Sequence, residues 1–458
     1  MAPALFFCLI CSFAVGAETV SRIISDPAQK KTRFAVRAVR AKDNTALYSL
    51  NAETPMIPAS NMKLIVSAAA LHYLKSDYVF KTHIALLDGD LVVVGGGDPL
   101  LADPVLAQRD NKKPDWVLDE IIASLKESNI NSVNNIILDD SFFDRNRVHP
   151  SWPAEQLNQW YACETDALNY NNNCVHILAR STETGPKIQL IPQTDYITLV
   201  NQVRLVSKGS SALGAYRNSK PNTLIVKGTL NKQAGFDVAV ENPAAFFGRL
   251  LYEKLAASGI RVDGKLLLQY AKNNPRIKII KTFSTPIADV LARCNKDSLG
   301  LAAECLVKTI SAENTRGKIN GEWPHGLKLI EKYLVSLGVP SDQYQLDDGS
   351  GLSRNNRLSP GAITAVLKNI YDSGDWPMFE NTLSAGGVDG TTAKYFRSDP
   401  YKGNILGKTG YIAGIRSFSG VCKTPRGDIL FSILTESGNG KTRSAINRIT
   451  QAIFDDSF

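Results

Sequence analysis

Pro58-Ala59-Ser60-Asn61-Met62-Lys63 opens a helical stretch, and Lys408-Thr409-Gly410-Tyr411 begins a run of β-formers far downstream. Beyond Ser60, residues Met62, Ile65, Val66, Ala69 and Ala70 recur at spacings of three and four, the period of a helix. Pro55 and Pro58 punctuate the chain just before, so Ser60 is expected in or beside the first turn. Helical residues three apart share a face, about 5–6 Å apart at Cβ, which lets Lys63 reach the Ser60 hydroxyl. A serine hydroxyl is a weak nucleophile until a base takes its proton. Lysine serves as that base when burial or a second cation lowers its pKa, and Lys408 is the candidate second cation. A helix start also favours the negative charge that develops on Ser60. Taken singly, Ser60 reads equally well as a helix cap and Lys63 as a solvated lysine. The ordered pair, one on a helix and one on a strand, predicts serine nucleophilic chemistry.

Outward from these motifs the chain is regular at its ends and β-rich in its middle. Residues 33–50 alternate and read as opening strands. Residues 406–411, 417–421 and 429–434 read as a β-meander, turning at Pro425-Arg426-Gly427-Asp428. Residues 445–454 close the chain as a helix with Ile446, Ile449 and Ile453 on one face. Between the ends, residues 79–80, 84–87 and 91–94 read as strands. Gly95-Gly96-Gly97-Asp98-Pro99 then forms a turn, not a phosphate loop, because no Gly-Lys-Ser/Thr follows. An amphipathic helix over 116–128 and a buried strand over 135–139 come next. Residues 140–235 alternate short β-like runs with Asn, Pro and Gly, which suggests a separate block. Helical patterns return at 242–255, at 288–310 with an interruption around 295–300, and at 325–337.

A chain of 458 residues is too long for one ordinary core, so two or three domains are expected. Residues 1–17 hold a short apolar run ending in Val15-Gly16-Ala17, which reads as a secretory leader and is too short to span a bilayer. An exported, periplasmic mature chain with at most peripheral membrane association is expected. Cleavage would leave Cys163, Cys174, Cys294, Cys305 and Cys422. Cys163 and Cys174 flank an Asn-rich turn and can pair, with buried thiols as the equal alternative. No Cys/His cluster suggests a metal, and no cofactor is expected. The net charge of +8 suits an anionic partner such as a cell-wall polymer, or simply solubility. The basic residues form no run or aromatic ladder, so nucleic acid is excluded. None of the five histidines stands beside a Gly-x-Ser-x-Gly elbow, which disfavours a His-dependent hydrolase.

Ser-x-x-Lys and Lys-Thr-Gly are two of the three signatures of serine acyl enzymes that act on D-alanyl peptides or β-lactams. Longer boxes make the likeness specific. They are Pro58 to Lys63, Gly95 to Pro99, Leu346-Asp347-Asp348-Gly349-Ser350-Gly351-Leu352-Ser353-Arg354 and Gly387-Val388-Asp389-Gly390-Thr391. With them, nearly the whole mature chain resembles the D-alanyl-D-alanine carboxypeptidase/endopeptidase family, the class C low-molecular-mass penicillin-binding proteins of peptidase family S13.

The resemblance implies an α/β (α+β) fold: a β-lactamase/transpeptidase-like domain with an antiparallel sheet flanked by helices, interrupted by a large β-rich insertion. The 235-position step from Lys63 to Ser298 leaves room for that insertion. The expected layout is a split catalytic domain over 18–78 and 242–458, with the insertion over 79–241. The implied roles are Ser60 as acylated nucleophile, Lys63 as base and Ser298 as proton relay to the leaving amine. Backbone N–H groups of Ser60 and Tyr411 would form the oxyanion hole. Lys408 and Thr409, in the Lys408-Thr409-Gly410 strand, would hold the substrate carboxylate, and the peptide would add alongside as an extra strand.

The implied substrates are peptidoglycan stem peptides, with β-lactams as covalent inhibitors. The middle motif departs from the family pattern of Ser-x-Asn, since Ser298-Leu299-Gly300 has glycine at the Asn position. Asn295 is a nearby candidate to supply the missing amide, and Ser353-Arg354-Asn355 reads as a decoy. Two alternatives stand beside this reading, the first of them motivated by the glycine. One is a catalytically weakened cell-wall-binding or scaffold homologue. The other is a β-lactamase or D-amino-acid esterase on the same fold.

Overall fold

The computed structural model describes residues 18–455. The leader expected over 1–17 lies outside them. Among the described residues, no helix is long and apolar enough to cross a membrane. The chain forms two compact units. The first holds the residues up to Tyr78, Ile287–Ile310 and Trp323 onward; the second holds Val79–Pro286 and Ser311–Glu322.

In the first unit, β1 (Arg33–Arg40) and β2 (Ala46–Leu50) form a hairpin, followed by helix α1 (Met62–Leu74). After the excursion into the second unit come helices α2 (Ile287–Asn295), α3 (Gly300–Asn314, of which the residues from Ser311 on count with the second unit), α4 (Trp323–Ser336), α5 (Pro360–Tyr371) and α6 (Trp376–Thr382). The short strand β3 (Ser384–Ala385) precedes the meander β4 (Ile405–Ile412), β5 (Ile415–Thr424) and β6 (Gly427–Glu436), and α7 (Thr442–Asp455) ends the described chain. The six strands form one antiparallel sheet in the order β3-β4-β5-β6-β1-β2. The first strand, β1, and the last, β6, thus pair inside the sheet, with Val36 opposite Ile433.

Strand β6 is buried almost throughout, as a strand covered on both faces must be. Ile433, Phe431 and Ile429 join Phe34, Val36 and Phe418 in a core that Ile446, Ile449 and Ile453 of α7 complete. On α1, the spacing of apolar residues suggests one buried face. The structure buries the helix nearly all round, Lys63 and Ser67 included. A lysine in so apolar a helix requires partners.

The second unit contains a five-stranded sheet in the order Leu266–Leu268, Ile136–Asp139, Asp90–Val94, Val79–Leu87, Lys278–Pro286, and two three-stranded sheets. Its boundary differs from the expected one at 241. Helix Pro243–Ala257 places Phe246, Phe247, Leu250 and Leu251 in this unit's core. Strand Lys278–Pro286 pairs along Val79–Leu87 and closes the large sheet. Residues 242–286 therefore belong with the insertion by packing, and the chain re-enters the first unit at Ile287. Cys163 and Cys174 are buried thiols, as are Cys294, Cys305 and Cys422, and the candidate pairing is not made.

Candidate active site

Ser60 sits in a 3₁₀ turn, Ala59–Asn61, that runs directly into α1. The turn is held from three sides. Ser417 Oγ on β5 donates to the Pro58 carbonyl at 2.7 Å. Asn61 Nδ2 donates to the Lys408 carbonyl on β4 at 2.7 Å. Gly351 lies so close beneath that a Cβ there would stand 1.9 Å from the Ala59 carbonyl oxygen, and its φ of +79° also favours glycine. Ala59 itself adopts φ +47°, a conformation that costs energy in a non-glycine residue and clusters at functional sites.

Lys63 is buried, and its Nζ donates to the Ser350 carbonyl at 2.6 Å and lies 3.3 Å from Ser60 Oγ. Burial pushes its pKa below the lysine value, while Cys294, Glu304 and Asp348 push the other way. Lys408 is fully buried; its Nζ donates to Ser298 Oγ and to the Thr409 carbonyl, each at 2.9 Å. Its pKa falls well below the ordinary value, first through burial and then through repulsion by Lys63. The depression of Lys63 thus comes chiefly from burial. Ser298 lies between α2 and α3 with φ +64°. Thr409 Oγ1 donates to Thr391 Oγ1 at 2.8 Å.

Strand β3 pairs only with Leu406 and Gly407. Among the described residues, the edge of β4 from Lys408 to Ile412 therefore has no neighbouring strand, which is the arrangement an added peptide strand needs. Gly410 fits the close approach of β4 to the nucleophile turn. A Cβ there would meet Ser417 Oγ at 2.0 Å and the Pro58 carbonyl oxygen at 3.0 Å. Tyr411 is exposed, with the Arg416 guanidinium 3.8 Å from its ring centre.

All seven residues singled out in the sequence thus lie on segments that the first unit brings together. Asn295 does not join them. Its amide is buried one helical turn along from Lys63, with Ser67 Oγ at 3.3 Å from Oδ1 and Thr382 Oγ1 accepting from Nδ2 at 3.0 Å. It is therefore not the replacement for the missing amide. Ser353 and Asn355 are tied into their own loop by Asp347 and Asp348. Sequence reasoning missed the residue behind that loop. The buried Glu304 carboxylate accepts from the backbone N–H of Gly349 (2.9 Å) and Ser350 (2.7 Å) and from Trp323 Nε1 (2.8 Å). It thereby fixes the two peptides just before the Ser350 carbonyl that faces Lys63, while the N–H of that carbonyl's own peptide, at Gly351, donates to Asp348 Oδ1 at 2.7 Å. Asn61 lies within Pro58–Lys63, but nothing in the sequence gives it a role, and its bond to β4 follows only from the fold.

A family model described as the D-Ala-D-Ala carboxypeptidase 3 (S13) family matches residues 17–454. The chain belongs to the S13 family. The D-alanyl-D-alanine carboxypeptidase of Actinomadura sp. (strain R39) is 29% identical, over 94% of this chain and 82% of that protein. D-alanyl-D-alanine carboxypeptidase DacB of Haemophilus influenzae is 26% identical, over 92% of this chain and 89% of that one. The crystal structure of penicillin binding protein 4 from Haemophilus influenzae superposes with a TM-score of 0.81 at 23% identity, covering 95% and 98% of the two chains. The fold is therefore the expected β-lactamase-like one with an insertion. As an S13 member, the protein is a serine-type D-Ala-D-Ala carboxypeptidase.

Proposed function

We propose that this protein hydrolyses D-alanyl bonds of peptidoglycan stem peptides through an acyl-Ser60 intermediate, and that β-lactams acylate the same oxygen. The observation that carries the reading is the 3.3 Å approach of the buried Lys63 amine to Ser60 Oγ. In the neutral state, Lys63 takes the Ser60 proton as Oγ attacks the carbonyl of the penultimate D-alanine. The N–H groups of Ser60 and Tyr411 meet the oxyanion. The C–N bond breaks, and the proton that Lys63 took from Ser60 passes to the leaving amine by way of Ser298, whose Oγ is bonded to Lys408, which leaves Lys63 neutral again. Lys408 and Thr409 hold the leaving group's carboxylate. Water then takes the place of the amine and attacks the acyl carbon, Lys63 takes a proton from it and returns that proton to Ser60 Oγ as the ester C–O bond breaks, and the acyl group leaves as a carboxylate.

Labelled penicillin and a D-alanyl-D-alanine peptide test this directly. Wild type is expected to form a stable adduct and to release D-alanine, and Ser60→Ala to do neither. An undiminished adduct on Ser60→Ala refutes the mechanism.

Gly300 supports a second emphasis, a slow acyl enzyme. It stands at the first residue of α3 where the family pattern has an amide, and Lys63 bonds the Ser350 carbonyl. Gly300→Asn is expected to raise peptide turnover, and an unchanged or lower rate counts against that role for the missing amide.

A further inference from the structure

Strand β4 borders a feature that acyl transfer to water leaves unused. An open pocket of about 520 Å³ shares Thr409 and Tyr411 with the site and continues past them to Thr391, Lys394, Arg416 and Arg443. Its volume is in the range of small-molecule sites, and the methyl group of a departing D-alanine leaves most of it unfilled. Its walls carry three cationic side chains and no carboxylate.

Among the described residues, none of the three has an acidic partner. Arg443 donates to the carbonyl oxygens of Gly410 (3.1 Å) and Ser417 (3.2 Å). Arg416 reaches its neighbour's carbonyl and the Tyr411 ring, and Lys394 lies over Tyr395. Arg443 also stands in the first turn of α7, which has no acidic residue there. A helix dipole disfavours a cation at that end, so neither helix stability nor ion pairing accounts for this arginine. Burial holds its pKa down at about 10, Arg416 adding to the effect and Tyr395 opposing it. A cluster of this kind is short of negative charge, and a carboxylate in fixed contact with guanidinium groups makes strong hydrogen bonds.

We infer that this pocket is a leaving-group subsite for an anionic side chain: it receives a second carboxylate on the departing amine, beyond the α-carboxylate held at Thr409. The inference rests on the acyl-Ser60 reading and adds a selectivity to it. A terminal D-alanine offers only one carboxylate. A cross-linking D-amino acid whose side chain carries another would fill the pocket and neutralise it, so the subsite favours cleavage of such cross-links over simple trimming.

The test uses the full-length enzyme and two peptides with one acyl part, ending in D-Ala-D-Glu or in its neutral isostere D-Ala-D-Gln. Wild type is expected to prefer the D-Glu leaving group about tenfold in kcat/KM, a preference that shrinks as salt is raised. In Lys394→Gln/Arg416→Gln the ratio is expected to approach one. Equal rates for the two peptides in wild type, a preference that survives the double substitution, or an equal loss on both peptides with the ratio intact overturns the subsite. A wild type that forms no Ser60-dependent penicillin adduct would instead remove the underlying reading, and the two failures are therefore distinguishable.

Discussion

Lys63 must lose a proton before it can accept one from Ser60. Burial lowers its pKa below 10.5, so the neutral amine is present at lower pH than for a solvated lysine. Acylation by penicillin is expected to speed up as pH rises and to level off below the ordinary lysine value of about 10.4. A limb still climbing through that value contradicts Lys63 as base. The same shift bears on stability. Between the lowered folded value and the unfolded one, the unfolded chain binds the extra proton, so this contribution to stability rises with pH in that window. Glu304 acts through Lys63 from behind. Glu304→Gln turns one accepting oxygen into a donor facing a backbone N–H, and losing a charged hydrogen bond costs about 1.5–3 kcal/mol, read as a lower thermal midpoint. It also removes a negative charge that raises the Lys63 pKa, so the acylation limb is expected to move to lower pH. A limb that stays in place would reduce Glu304 to a purely structural part.

At the scale of elements, the site is a turn, a loop and a strand pressed against one another. Two glycines mark the pressure points. At Gly351 the obstacle is the Ala59 backbone, 1.9 Å from where a Cβ would stand, and φ is +79°. At Gly410 the nearest obstacle is a serine hydroxyl that can rotate, at the loss of its 2.7 Å bond to Pro58. Gly351→Ala is therefore expected to cost at least the roughly 1–3 kcal/mol of an unfavourable backbone conformation and to displace Ser60. Gly410→Ala should do less to stability. Thermal midpoints and penicillin acylation rates of the two variants check the order, and a milder Gly351→Ala contradicts it. Most elements were legible in the sequence. The meander, α1 and the break between α2 and α3 announce themselves by period and punctuation, and the two short motifs carry the reactive groups. The pressure points were not legible, because a glycine's neighbour 292 residues earlier, as Ala59 is to Gly351, leaves no local signal. Arg443 was invisible for a related reason: on an amphipathic helix an arginine reads as solvated.

For the whole molecule, the informative disagreement is where the insertion ends. The Asn242-Pro243 helix start reads as a return to the first domain, because an amphipathic helix does not say which core it will cover. The deciding contacts are non-local: strand 278–286 on strand 79–87, and the apolar face of Pro243–Ala257 on the second unit's core. Phe246, Phe247, Leu250, Leu251, Leu255 and Phe283 all lie in that core. Six such side chains at roughly 1.5–3 kcal/mol each bring about 9–18 kcal/mol, as much as the whole net stability of an ordinary domain, about 5–15 kcal/mol. A fragment of residues 79–241 is therefore expected to lack a cooperative thermal transition and to bind a hydrophobic dye, whereas 79–286, which restores the helix and the closing strand, should melt cooperatively. Circular dichroism of the two fragments checks this. A cooperative melt of 79–241 at the temperature of 79–286 would show that residues 242–286 add nothing to the second core, and would return the boundary to 241.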